Sequence, residues 1–179
     1  MKYLGARQDV NPQAIGVMGF SWGGNMALRM ASKSVHAAFS PDVGALRFAA
    51  HAPLYPVCWV HNQLALDASA AGYGTYAEFT GAPVLVFAGG QDDYGAPDDC
   101  KKFVEAVDKN ARGTVQLRFY PDATHGWDSP PSRSRTIYDP AAHQGKGGSV
   151  RMWPDARVAE DSRQRIVEFF TQHLKAQAR

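Results

Sequence analysis

The sequence predicts an α/β protein with a mostly parallel sheet and flanking helices, and three observations carry that expectation. Strand-like apolar segments alternate with helical ones along the chain, the pattern of a parallel sheet. One of them, Pro83-Val84-Leu85-Val86-Phe87-Ala88, is an unbroken apolar run of the kind buried on both faces. Ser21, Asp92 with Asp93, and His125 each follow a strand, and the carboxyl ends of strands are where such sheets place their ligands.

The elements follow in chain order. Residues 15–18 form the first expected strand and lead into a helix over 24–32. Residues 47–55 form the second, ended by Pro53 and Pro56, and residues 83–88 the third. A helix over 97–110 precedes the fourth strand, 115–120, whose apolar and polar residues alternate as in a half-exposed strand nearer a sheet edge. The long helix 156–176 places Ile166, Val167, Phe169, Phe170 and Leu174 on one stripe that should dock on the sheet. Residues 129–149, rich in Pro, Gly, Ser, Arg and Lys, read as a long surface loop.

With 179 residues, 45% hydrophobic and 20% charged, the chain is long enough for one domain with a real core, spanning 1–179. A net charge of +2 and the lack of a long basic run argue against a dedicated nucleic-acid or membrane surface. Apolar runs are too short to span a bilayer, and no signal peptide is visible. Nothing in the pattern asks for a cofactor or a metal.

The first strand runs into Gly16-Val17-Met18-Gly19-Phe20-Ser21-Trp22-Gly23-Gly24, a Gly-x-Ser-x-Gly turn that opens a helix. A serine on such a turn is held in a strained backbone with its hydroxyl exposed. Strand and helix can approach only if the flanking residues are tiny, a demand assigned here to Gly19 and Gly23. The Trp22 N–H then lies at a helix N-terminus, suited to a developing oxyanion. A dinucleotide loop would need Gly-x-Gly-x-x-Gly, and a phosphate loop Gly-Lys-Ser/Thr, neither of which is supplied. Ser21 is thus the expected nucleophile.

Among six histidines, His125 alone leaves the end of a strand and is the expected general base. His36 lies near a helix end, His51 in a strand pattern, His61 on a loop and His173 on the exposed side of the last helix. Asp92 is the expected orienting acid, with Asp93 as alternate, because neighbouring side chains diverge and only one can face the imidazole. Asp98 and Asp99 read instead as first-turn helix acids. The order Ser…Asp…His is that of an α/β-hydrolase.

These residues resemble the dienelactone hydrolase family of α/β-hydrolases. The likeness runs from the elbow through Tyr55-Pro56-Val57-Cys58-Trp59 and Gly89-Gly90-Gln91-Asp92 to Tyr120-Pro121 and His125-Gly126, then to Phe169-Phe170 with His173-Leu174. It implies Asp92 as the carboxylate. The founding dienelactone hydrolases carry cysteine where this chain has Ser21. They also hold a substrate carboxylate with arginines, one shortly after the histidine; here Arg133 is the first available. A general carboxylic ester or lactone is therefore the expected substrate rather than dienelactone itself. Family members resemble chains of about 230 residues or more. The sequence thus reads as the C-terminal part of the fold, without the loop that supplies a second oxyanion N–H. The first strand would then be an apolar sheet edge open to a second copy of the chain.

Cys58 follows the second strand and Cys100 opens the helix after the third, so a bridge is sterically reasonable, and two buried thiols are the alternative. Three functions compete: an ester or lactone hydrolase working through an acyl-enzyme, a catalytically impaired binding domain, and a peptidase or thioesterase of the same fold.

Overall fold

Strand β3 (Val84–Gln91) has side chains buried on both faces, and the rest of the molecule is layered around it. The computed structural model describes residues 1–66, 78–109 and 112–175. Strands β1 (Gly16–Phe20), β2 (Ala50–Leu54), β3 and β4 (Val115–Thr124) form one parallel sheet in the order β1-β2-β3-β4. A short helix α1 (Lys2–Gly5) precedes it. Helices α2 (Trp22–Arg29), α3 (Lys33–Val43), α4 (Cys58–Leu66) and α5 (Asp99–Asp108) link the strands.

Alternation along β3 feeds two cores. Val84, Val86 and Ala88 join Leu28, Phe103 and Val107 on one face of the sheet. Phe87 faces the other way, among Leu54, Trp127, Ile166 and Phe169. The second face is covered by α7 (Ala156–Lys175), so the sheet lies between helices on both sides. Asp161 of α7 accepts hydrogen bonds from Arg118 and Tyr120 of β4, at 3.0 and 2.7 Å, which fixes the helix along that strand.

Several expectations need correction. Val167 is 60% exposed because it sits one residue, about 100° of helical turn, off the line of Ile166 and Phe169. Pro53 lies inside β2 rather than ending it. The strand termini run further than expected at β3 and β4, and α3 and α4 were not anticipated. Asn110 and Ala176, the expected ends of two helices, lie outside the described residues.

The largest correction concerns residues 129–149. In place of a loop, β5 (Arg135–Asp139) and β6 (Gly148–Met152) form an antiparallel hairpin, with one helical turn α6 (Ala142–Gly145) between them. The β-favouring run Thr136-Ile137-Tyr138 supplies the first strand. The turn residues that dominate the composition lie before β5 and in the connection, where His143 and Gln144 also take positive φ, 50° and 61°.

Among the described residues, no helix is long and apolar enough to cross a membrane. His51 is buried in β2, where its ring nitrogen bonds the Ala27 carbonyl at 2.9 Å; burial lowers its pKa to about 4 and keeps it neutral. His61 lies in α4, not on a loop, and is buried too.

Candidate active site

Ser21 caps α2 directly after β1, with φ 53° and ψ −116°, a backbone conformation that L-residues avoid. Its N–H donates to the Leu54 carbonyl at 3.0 Å, and its own carbonyl accepts from Asn25 N–H at 2.9 Å. The elbow is thus tied to β2 on one side and to its helix on the other. A Cβ on Gly19 would stand 2.2 Å from the Gly23 carbonyl oxygen, so Gly19 meets the demand expected of it. Gly23 does not: a Cβ there would meet nothing within 4 Å, and the tight contact falls on Gly24, 2.5 Å from the Leu54 carbonyl oxygen. The backbone of position 23 is crowded, whereas its side-chain direction is open.

The second part of the site comes from an irregularity between β3 and β4. Gly89 pairs with Tyr120 and Gln91 with Thr124, so β4 advances four residues while β3 advances two. This bulge presses the Ala123 carbonyl to within 2.3 Å of where a Gly89 Cβ would be. Bulges bend a strand and re-aim the side chains beyond it. Here the residue beyond is His125, brought level with Asp92 just past β3.

The outcome is a continuous hydrogen-bonded chain. His125 Nε2 lies 2.8 Å from Ser21 Oγ, and His125 Nδ1 lies 2.9 Å from Asp92 Oδ2. A carboxylate can only accept, so Nδ1 carries the proton and Nε2 is left to accept from the serine hydroxyl. The other Asp92 oxygen accepts from Tyr94 N–H at 3.0 Å. Trp22, the first residue of α2, contributes an N–H that has no partner within its helix. Ser21, Asp92 and His125 therefore meet at the carboxyl ends of β1, β3 and β4, and Trp22 follows directly on Ser21.

Asp93 turns away from the imidazole and grips Arg151 of β6, accepting from its guanidinium at 2.7 and 2.8 Å. Burial opposes its ionisation, but the Arg151 bonds more than offset that and hold the carboxyl below its usual range. Asp99 sits in the first turn of α5, as expected, and accepts from Ala96 N–H and from Gln144. Asp98 precedes it as N-cap residue and pairs with Lys102.

Two tyrosines were not singled out for the site. The rings of Tyr55 and Tyr94 meet the His125 ring edge-on, with centroids 4.6 and 4.5 Å away. Tyr55 donates to Asp128 at 2.5 Å and Tyr94 to Asp139 at 2.7 Å, so both rings are fixed at their far ends. Burial first, and these carboxylates second, push both phenols well above their usual pKa. Together they leave the imidazole 1% exposed and limit its rotation. Tyr94 stands two places after Asp92, but nothing local marks it; its partner Asp139 is on the hairpin read as loop.

Cys58 and Cys100 are joined in a disulfide, Cα to Cα 5.0 Å, which links the start of α4 to the start of α5. It lies beside the turn carrying Tyr55 and Val57, both at positive φ, 36° and 56°.

A parallel sheet with a serine on a strand-to-helix elbow and a histidine and an acid after later strands is the fold of the α/β hydrolases. The family model for the dienelactone hydrolase family matches residues 1–174, and the chain belongs to that family. No curated protein matches the chain in sequence. Among solved structures, it is similar to carboxylesterase Cest-2923 from Lactobacillus plantarum WCFS1, with 17% identity and a TM-score of 0.61 over 97% of this chain and 64% of that one. It is similar to MGS-M1, an α/β hydrolase enzyme from a Medee basin deep-sea metagenome library, with 19% identity and a TM-score of 0.57 over 93% and 57%. Thermogutta terrifontis esterase 2, solved phosphonylated by cyclosarin, gives 16% identity and a TM-score of 0.58 over 91% and 56%. The chain thus spans less than two thirds of the length of each of these structures.

Proposed function

We propose that this chain hydrolyses carboxylic esters or lactones through an acyl-enzyme on Ser21. The observation that carries the reading is the unbroken chain from Ser21 Oγ through both nitrogens of His125 to Asp92, at 2.8 and 2.9 Å. Ser21 Oγ attacks the ester carbonyl carbon while His125 Nε2 takes its proton. Negative charge gathers on the carbonyl oxygen, where the Trp22 N–H at the start of α2 stabilises it. The bond to the leaving oxygen then breaks as Nε2 returns the proton to it, leaving the acyl group on Ser21. Water repeats the sequence in the second half: His125 takes its proton, and Ser21 leaves the acyl carbon and recovers a proton from Nε2. Asp92 stays ionised throughout, holding the tautomer and offsetting the charge on the imidazolium. No cofactor or metal enters any step.

Family membership and the esterases among structures of the same fold support a small ester or lactone as substrate. The test is a fluorophosphonate probe with an ester panel. Ser21 is expected to be labelled, Ser21→Ala to lose labelling and turnover with its melting temperature nearly unchanged, and Asp92→Asn to lose about 10⁴-fold in turnover. Undiminished turnover in Ser21→Ala would remove the nucleophile from the scheme. A wild-type chain that neither labels nor turns over would fit a binding domain that keeps only the fold.

A further inference from the structure

We infer that Arg151 is a positioning residue for this site, and that the segment from Arg151 to Trp153 braces the acid-bearing loop against the base-bearing loop. The inference rests on the proposed roles of Ser21, His125 and Asp92. Residues on both sides of the acid are held by the hairpin, Gln91 in addition to its place in β3. Arg151 binds both oxygens of Asp93 and also reaches Gln91 Oε1 at 3.4 Å. The Asp93 carbonyl accepts from His143 N–H at 2.8 Å, and the Tyr94 carbonyl from Gln144 N–H at 3.1 Å. Of the four consecutive side chains 91 to 94, Gln91 and Asp93 are taken by Arg151 and the Tyr94 hydroxyl by Asp139, and Asp92 is the one that hydrogen-bonds His125.

Two residues beyond Arg151, the same strand end grips the other loop. Thr124, the residue before His125, donates its hydroxyl to the Trp153 carbonyl at 3.0 Å and accepts from Trp153 N–H at 2.9 Å. One short stretch of backbone therefore touches the residue after the acid and the residue before the base. It fixes the separation across which Asp92 and His125 bond.

The chemistry explains why an arginine is needed. Asp92 and Asp93 are adjacent carboxylates, and either could accept from the imidazole if the loop rotated. The planar guanidinium occupies both oxygens of Asp93 at once, which a lysine's point charge does not match. With Arg151 removed, Asp93 keeps only the residue 151 N–H and is free to compete for His125 Nδ1–H.

The experiment compares fluorophosphonate labelling rates, ester kcat and KM, and the Nδ1–H proton resonance of ¹⁵N-labelled His125 across a set of variants. Arg151→Ala is expected to lose about 10²-fold in kcat, the scale set by small misplacements of reacting groups, with KM unchanged and the His125 resonance altered. Arg151→Lys should fall between this and wild type. Adding Asp93→Asn to Arg151→Ala removes the competing carboxylate and should restore most of kcat, whereas a purely structural arginine would give no recovery. Lys146→Ala, on an exposed part of the same hairpin, should match wild type. Wild-type kcat in Arg151→Ala, or no recovery in the double variant, overturns the inference. Should Arg151→Ala fail to fold, undiminished kcat in Arg151→Lys overturns it and a reduced kcat upholds it. A wild-type chain whose Ser21 does not label overturns the hydrolase reading instead, which separates the two failures.

Discussion

At the elbow, adjacent glycines differ in what a methyl group would meet: the Leu54 carbonyl at 2.5 Å from position 24, open space from position 23. Gly24→Ala is expected to push the helix off β2, lowering stability by about 1–3 kcal/mol and abolishing Ser21 labelling. Gly23→Ala should leave the melting temperature unchanged; thermal melts of the two variants check both. Spacing pointed to Gly23, since the motif counts residues outward from the serine and carries no information on which of two adjacent Cβ directions faces the neighbouring strand. Ser21 and His125 were legible because each chemistry needs one side-chain type at one kind of strand end. The strand-end position favours Asp92 over Asp93, and the resemblance supports that choice. The contact that turns Asp93 away from the imidazole, its pairing with Arg151, lies 58 residues away and has no local signal.

At the scale of elements, apolar runs made the strands of the sheet visible, and the apolar stripe made α7 visible. The hairpin β5–β6 stayed hidden because its two five-residue strands are flanked by Pro, Gly, Ser and Lys, which dominate any window over them. Its partners are the loops of the site and not a core, so no long apolar face announces it. Helix α4 was missed for a related reason: it starts immediately after the Tyr55-Pro56-Val57 turn, where the proline reads as a break. The disulfide fastens that helix to α5 across a sequence separation of 42. Non-reducing peptide mapping should find a Cys58–Cys100 peptide, and reduction should lower stability by about 2–4 kcal/mol. Two freely alkylated thiols in the native protein would exclude the bridge.

Across the whole molecule, the sheet has unlike edges. On one side β4 is held by α7 through Asp161. On the other, β1 pairs with β2 alone among the described residues, and Met18 and Phe20 are 42% and 45% exposed. A flat apolar edge with unpaired N–H and C=O groups recruits another strand. The chain is therefore expected to self-associate through β1, giving a dimer mass by light scattering that Met18→Lys shifts back toward monomer. A monomer mass that persists at high concentration would contradict this.

The span of the site along the chain carries a consequence for how the molecule matures. Ser21 and His125 are 104 residues apart, Asp92 and His125 are 33 apart, and the brace lies beyond them both. Helices and their caps close locally and early, whereas contacts across long stretches of chain must await costly loop closure. Labelling of Ser21 is thus a clock for the last tertiary contacts: during refolding it should lag behind the return of helical signal, and on a ribosome it should begin only after Trp153 has emerged.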